Sequence, residues 1–405
     1  MATLKTRYSI LLHQQARRRW CQPNALRACS RSLQTSTSDH HPSDFAFAFD
    51  IDGVLLRSHD PIPGAREALS FLQAQKIPFI LLTNGGGKHE SERVAELMDK
   101  LQIPLDTSMF VQSHTPFADL EQYKDKTILV VGGEEDKCRH VANAYGFKSV
   151  VTPADIMVQY PSIWPFSSQF LDYYQETADP LPSPIDAANP EGSLKVDAIF
   201  VYNDPRDWGL DATIILDLLL SRSGIMGTVS PKNNNPDLPN RGYLQEGQPH
   251  LYYSNPDLWW AAKFHLPRLG QGAFREALEG LWTAVTGGEK KGVTLQKTLI
   301  GKPYHMTYDF AERKLIKHRE DLFSGTETNP LRQVYMIGDN PESDIRGGNS
   351  FRSPLGTKWS TILVKTGVHQ TGHPAWEPTT ITKDVYEAVK WALHRESWPV
   401  SPQRN

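Results

Sequence analysis

"FAFAFDIDGVLLRS", residues 45–58, opens the folded part of the chain. Phe45 to Phe49 is short and wholly apolar, as a parallel strand buried on both faces requires. The run ends on two acids one residue apart, Asp50 and Asp52, followed at once by Gly53. Asp-x-Asp-Gly alone is often a turn, because Asp and Gly favour left-handed and capping conformations. The same residues at the carboxyl end of a strand in an open α/β sheet sit where ligands bind. The rest of the chain decides between these readings.

Runs at 78–87, the last part of it a glycine turn, and at 127–133, 196–203, 250–253, 297–300, 333–338 and 361–364 read as strands, and helical stretches follow most of them. Pro63-Gly64-Ala65 is expected to start a helix that continues to about Gln75. Another covers 91–103, with Val94, Leu97 and Leu101 on one stripe. Strand and helix in alternation predict parallel sheets with helices on both faces. Residues 176–194 and 230–250 are rich in Pro, Asn, Asp and Ser and read as long loops. Gly132-Gly133 reads as a turn.

Four of the strand ends carry polar residues. The first has Asp50 and Asp52, the second Thr83-Asn84-Gly85, the third Gly301-Lys302-Pro303, and the fourth Gly338-Asp339-Asn340-Pro341-Glu342-Ser343-Asp344. Converging carboxylates repel one another unless a cation holds them. Hard oxygen ligands with open positions suit Mg²⁺ together with a substrate phosphate. A lysine among them offsets charge, and Thr83 can donate to phosphate oxygens. One carboxylate can then attack phosphorus while a second acid handles the proton. Asn84 and Gly85 are candidates for substrate binding through loop amides. Asp257, after Asn255-Pro256 and before Trp259-Trp260, either faces the site or forms an Asx turn with packing tryptophans.

Taken in this order, the motifs resemble those of the haloacid dehalogenase (HAD) superfamily of phosphohydrolases. The resemblance covers residues 45–395 and implies Asp50 as nucleophile, Asp52 as general acid/base, and Thr83 and Lys302 as partners of the phosphate. It implies Mg²⁺ on Asp50, the backbone carbonyl of Asp52 and Asp339, with Asp344 supporting the metal shell and Lys302. Thr83 and Lys302 are 219 residues apart and Lys302 and Asp339 only 37. The long gap is where relatives of p-nitrophenyl phosphatase and NagD carry a C2-type cap. Within that group the chain resembles the mitochondrial branch of the cat-eye-syndrome critical region protein 5. The implied fold is α/β, a Rossmann-like parallel core with an inserted α/β cap: core 44–112, cap 113–296, core 297–395 and a tail 396–405. The NagD group usually follows its threonine with Asn-Asn. Here Gly85-Gly86-Gly87 follows Thr83-Asn84 instead, and these glycines are expected either to offer amides to an anion or to mark a different substrate.

Composition bounds the function. Hydrophobic residues at 39% and charged residues at 22% allow a sizeable core in a 405-residue chain. No apolar run approaches the roughly 18 residues of a membrane-spanning helix, so a soluble protein is expected. Residues 1–38 carry seven Lys or Arg and no acid, which leaves 36 basic against 46 acidic residues after them. Such a leader reads as a mitochondrial transit peptide over 1–43, the matrix being the expected destination. A basic nucleic-acid-binding arm is the alternative, and the acidic remainder would repel a phosphate backbone. Cys21 and Cys29 lie in the leader, and Cys138 alone cannot form an intramolecular disulfide. The expected function is Mg²⁺-dependent hydrolysis of a small phosphate monoester through an aspartyl phosphate. A phosphatase role in mitochondrial glycerophospholipid synthesis and a non-catalytic scaffold on the same fold are the alternatives. The resemblance also implies a homodimer through the cap, with no nucleic-acid partner.

Overall fold

The structure, a computed structural model, describes residues 42–403 except 59, 261–263 and 325–327. The expected leader therefore lies outside the described residues, apart from its last two positions. In chain order the strands are β1 (Phe45–Phe49), β2 (Leu56–Arg57), β3 (Asp60–Pro61), β4 (Phe79–Leu82), β5 (Phe110–Val111), β6 (Thr127–Val131), β7 (Ser149–Val151), β8 (Ala198–Val201), β9 (His250–Tyr253), β10 (Trp259–Trp260), β11 (Arg268–Leu269), β12 (Lys297–Leu299), β13 (Gln333–Gly338), β14 (Lys358–Val364) and β15 (Thr380–Thr382).

Two parallel sheets carry the fold. The first has six strands in the order β15-β14-β13-β1-β4-β5, and the second five in the order β12-β9-β8-β6-β7. β2–β3 and β10–β11 are small antiparallel hairpins. The described residues include no helix long and apolar enough to cross a membrane.

β1 lies at the centre of the first sheet, between β13 and β4. Its alternation sorts large from small. Phe45, Phe47 and Phe49 pack with Leu69, Leu72, Val389 and Leu393 from the helices Ala65–Ala74 and Val385–Arg395. Ala46 and Ala48 face the other way, toward Tyr308, Ala311 and Leu315 of the helix His305–Leu322. Each fully buried phenylalanine contributes about 1.5–3 kcal/mol. The small alanines let the second helix lie close beneath the strand. This packing immobilises the end of β1, where Asp50 begins.

The helix expected over 91–103 runs from Glu90 to Leu101, because Gln102 turns left-handed at φ 54° and ends it. The third polar strand end departs from expectation. Lys297–Leu299 pairs with β9 and closes the second sheet, so the segment expected to begin the second part of the core at 297 starts inside the other sheet. The chain returns toward the first sheet only after β12, at Gly301-Lys302. Parallel pairing with β9 buries Ile300 in the second sheet's core, and that outweighs the adjacency in sequence to the motif that follows.

Candidate active site

The carboxyl ends of β1, β4 and β13 point the same way, and Lys302 enters from the crossing. Asp50, Lys302, Asp339 and Asp344 are all buried, at 8%, 2%, 2% and 0% exposure. Lys302 Nζ donates to Asp50 Oδ1 at 2.7 Å and forms an ion pair with Asp344 Oδ1 at 2.7 Å. Asp339 Oδ2 accepts from the Val368 amide at 2.6 Å, and Asp344 Oδ2 accepts from the Asn340 amide at 3.0 Å. Tyr308 anchors the turn by donating to the carbonyls of Ser343 and Asp344.

Three carboxylates face one ammonium, and the electrostatics register the imbalance. Burial raises the Asp50 carboxyl, with Lys302 opposing and Asp52 adding to the rise. Burial, then the charges of Asp50 and Asp344, pushes Asp339 well above the usual carboxylate range. Burial lifts Asp344 to about 6 against the pull of Lys302. For Lys302, burial alone would favour the neutral amine, but Asp344 and Asp50 outweigh it and hold the ammonium. Ligand oxygens of Asp50, Asp339 and Asp344 lie within 4.8 Å of one another. An all-oxygen set with two negative charges in excess fits a divalent hard cation. Asp52 is exposed, its backbone bridged to Leu56.

The structure brings Thr83, Asn84 and Asp257 to the same place and gives Asn84 a role the sequence did not suggest. Asn84 Oδ1 accepts from the Lys302 amide at 2.7 Å, and its Nδ2 donates to the Lys302 carbonyl at 2.9 Å. Nδ2 also lies 3.2 Å from both carboxylate oxygens of Asp257. Asn84 is thus a clasp between the second motif, Lys302 and the second sheet, with its side-chain donors taken up by protein. Gly85 likewise turns its amide inward, donating to Thr83 Oγ1 at 3.0 Å, which leaves the Thr83 hydroxyl hydrogen to donate elsewhere. The Asn84 side chain and the Gly85 amide are thus both engaged within the protein.

The glycine run has a packing reason. A Cβ on Gly86 would come within 2.8 Å of Ser113 Oγ and His114 Cδ2, and Gly87 takes φ +93° against the Asn203 side chain. For Asp257 both readings hold in part. Its amide donates to Asn255 Oδ1 at 2.8 Å in an Asx turn, and its carboxylate meets Asn84. Burial raises the Asp257 carboxyl to about 6, with the Asn84 contact opposing. The adjacent Trp259 and Trp260 are about half exposed, at 55% and 52%.

One component escaped the sequence reading, the loop after β14. Besides the Val368 amide, it places Gly367 so close that a Cβ there would stand 1.9 Å from Asp339 Oδ2. Thr366 Oγ1 donates to the Gly53 carbonyl at 2.6 Å, tying this loop to the first motif. Its signal was present: "VKTGVH" is another strand end running into a glycine.

Residues 47–148 match the profile of haloacid dehalogenase-like hydrolases, and residues 299–388 match a second, HAD-hydrolase-like profile. A mitochondrial hydrolase of Saccharomyces cerevisiae is 38% identical over 372 residues, 86% of this chain and 96% of that one. The chain belongs to the haloacid dehalogenase-like hydrolase family. A cardiolipin synthase (CMP-forming)/mitochondrial hydrolase fusion protein of Schizosaccharomyces pombe is 39% identical over 373 residues, 91% of this chain. The chain spans 56% of that fusion protein's length. In fold it is similar to the crystal structure of a 4-nitrophenylphosphatase from Thermotoga maritima, with TM-score 0.52 and 17% identity over 87% of this chain and 99% of that one.

Proposed function

We propose that the chain is a Mg²⁺-dependent phosphomonoester hydrolase working through an aspartyl phosphate on Asp50. The observation that carries this is the buried trio Asp50, Asp339 and Asp344, with ligand oxygens within 4.8 Å of one another and Lys302 as their shared counter-charge. Asp50, Asp339 and the Asp52 carbonyl would hold the ion, with Asp344 behind them. Bound there, the ion would offset the charge of the carboxylates and of the phosphate. Lys302 holds one Asp50 oxygen at 2.7 Å and so orients the other for attack. Asp50 forms the new bond to phosphorus as the ester P–O bond breaks, and Asp52 gives its proton to the departing alkoxide. Asp52 then takes a proton from water as the water attacks the acyl phosphate, which releases phosphate and regenerates Asp50. The Thr83 hydroxyl donates to a phosphate oxygen. Asn84 is a positioning residue, and Asp257 lines the site from the second sheet.

The names of the two fungal relatives support a narrower form, a mitochondrial enzyme whose substrate is a phosphate monoester of glycerophospholipid synthesis. A non-catalytic scaffold would have no need of a buried lysine between two carboxylates. The test is hydrolysis by the full-length chain with Mg²⁺, first of an aryl phosphate and then of a panel of phosphorylated metabolites including glycerol phosphates. Turnover that Asp50→Asn abolishes, with an 80 Da phosphoryl adduct trapped on the wild type, is the expected result. Equal inertness of wild type and Asp50→Asn across the panel would overturn the proposal.

A further inference from the structure

The second sheet has a switch point of its own. β6 has β7 on one side and β8 on the other, so the connection after β6 runs one way along the sheet and the connection after β7 runs back the other way. Crevices form at such points in open α/β sheets. Here there is a cavity of about 540 Å³, the size of a small-molecule site. Gly132, at the end of β6, lies on one wall, with Trp208 and Asp211 from the helix after β8, and Phe170 and Tyr173 from the segment before Gln175. No member of the carboxylate cluster lines it.

Asp211 is the group in need of explanation. It sits in the first turn of the helix Trp208–Leu220 and is only 5% exposed. Its carboxylate accepts no hydrogen bond and forms no ion pair among the described residues. Helix capping does not account for it, because Asp207 fills that role. Asp207 Oδ1 accepts from the Leu210 amide at 3.1 Å, and Oδ2 accepts from Ser167 Oγ at 2.5 Å and Tyr174 OH at 2.9 Å. A buried carboxylate without a donor is costly. Burial and the neighbouring Asp207 charge push Asp211 well above the usual carboxylate range, with Arg206 opposing.

The remaining walls narrow the ligand. Arg139 commits both terminal nitrogens to Asp155, at 2.6 and 3.0 Å, so the edge that would take an anion bidentately is filled and only its buried Nε lacks a partner. Phe170 and Tyr173 stand about half exposed and line the cavity with Trp208. Aromatic faces near a carboxylate suit an organic ammonium. Arg206 lines the exposed rim and repels a second positive charge, which disfavours polyamines.

We propose that this cavity is a second binding site, separate from the carboxylate cluster, for a small monoamine with an aromatic or branched apolar body. The ammonium meets Asp211, and the body lies against Phe170, Tyr173 and Trp208.

The test is titration of phenethylamine into the full-length chain at saturating Mg²⁺ by calorimetry, beside phenethyl alcohol and 3-phenylpropionate. The amine is expected to bind at least about tenfold more tightly than either isostere, and Asp211→Asn to remove that advantage. Asp50→Asn is expected to leave amine binding unchanged. Tyr173→Ala, at a half-exposed position, is expected to weaken the amine several-fold with an unchanged melting temperature, and it decides the matter if Asp211→Asn does not fold. No binding of the amine, equal binding of amine and carboxylate, an unaffected Asp211→Asn or Tyr173→Ala, or loss of binding in Asp50→Asn would each overturn the proposal.

Discussion

Replacing Lys302 by methionine would remove the ammonium that touches both Asp50 and Asp344 while keeping most of the side chain's length and apolar body. Each contact is 2.7 Å, and all the groups are nearly sealed from solvent. At an effective dielectric of 20 the attraction is about 6 kcal/mol per contact. Much of it offsets the cost of taking three ions out of water. Removing one partner leaves that cost uncompensated, so Lys302→Met is expected to lose about 3–5 kcal/mol in metal-free buffer. Protonation of the raised Asp344 and Asp339 carboxyls relieves part of the loss, which should therefore be smaller at pH 5 than at pH 8. Urea midpoints measured in a chelator give the loss. Added Mg²⁺ should raise the midpoint of Lys302→Met more than that of the wild type, because a cation neutralises the same carboxylates. Lys302→Met/Asp344→Asn should recover part of the stability. A variant within about 0.5 kcal/mol of wild type in the chelator would refute Lys302 as the counter-charge. Equal stabilisation of both proteins by Mg²⁺ would do the same.

His114 predicts an acid-sensitive junction. Burial holds its imidazole down at about 4, against the pull of Glu90, while Nδ1 lies 2.9 Å from Tyr145 OH. Between pH 6.5 and 4 the unfolded chain takes up a proton that the fold refuses. This contribution is therefore complete above pH 6.5 and lost on acidification, by about 3 kcal/mol at pH 4. His114→Phe should flatten that part of the stability–pH curve, and identical slopes for the two proteins in urea titrations would dismiss the assignment. A reporter fused to residues 1–43 is expected to enter mitochondria, and a diffuse or nuclear signal would count against the targeting reading.

The legible features of this chain were those written in neighbouring residues. Phe45–Phe49 shows a strand buried on both faces because every side chain in it is apolar, and strand–helix alternation implies parallel sheets because parallel strands need long crossovers. Asp50, Thr83 and Asp339 could be grouped from the sequence because the carboxyl ends of parallel strands share one edge of a sheet, whereas Lys302 follows β12 of the second sheet.

What stayed hidden depends on partners far apart in the chain. The Asn84 side chain shows no sign in the sequence of its partner, the Lys302 carbonyl 218 residues on. Gly367 and Val368 shape Asp339 through a backbone amide and a missing Cβ, neither of which leaves a side-chain signature. β12 was expected in the core and pairs with β9 instead, because a three-residue strand carries no mark of the edge it will join. Asp211 reads as an ordinary acid in the first turn of a helix; only the fold places it, nearly sealed, on the wall of a cavity it shares with Phe170, Tyr173 and Trp208. Local order along the chain thus determined the strands and the acids at their ends. Tertiary packing alone decided which acids pair, which stand unpaired, and which polar groups remain for a ligand, because burial and hydrogen-bond partners are properties of the folded neighbourhood.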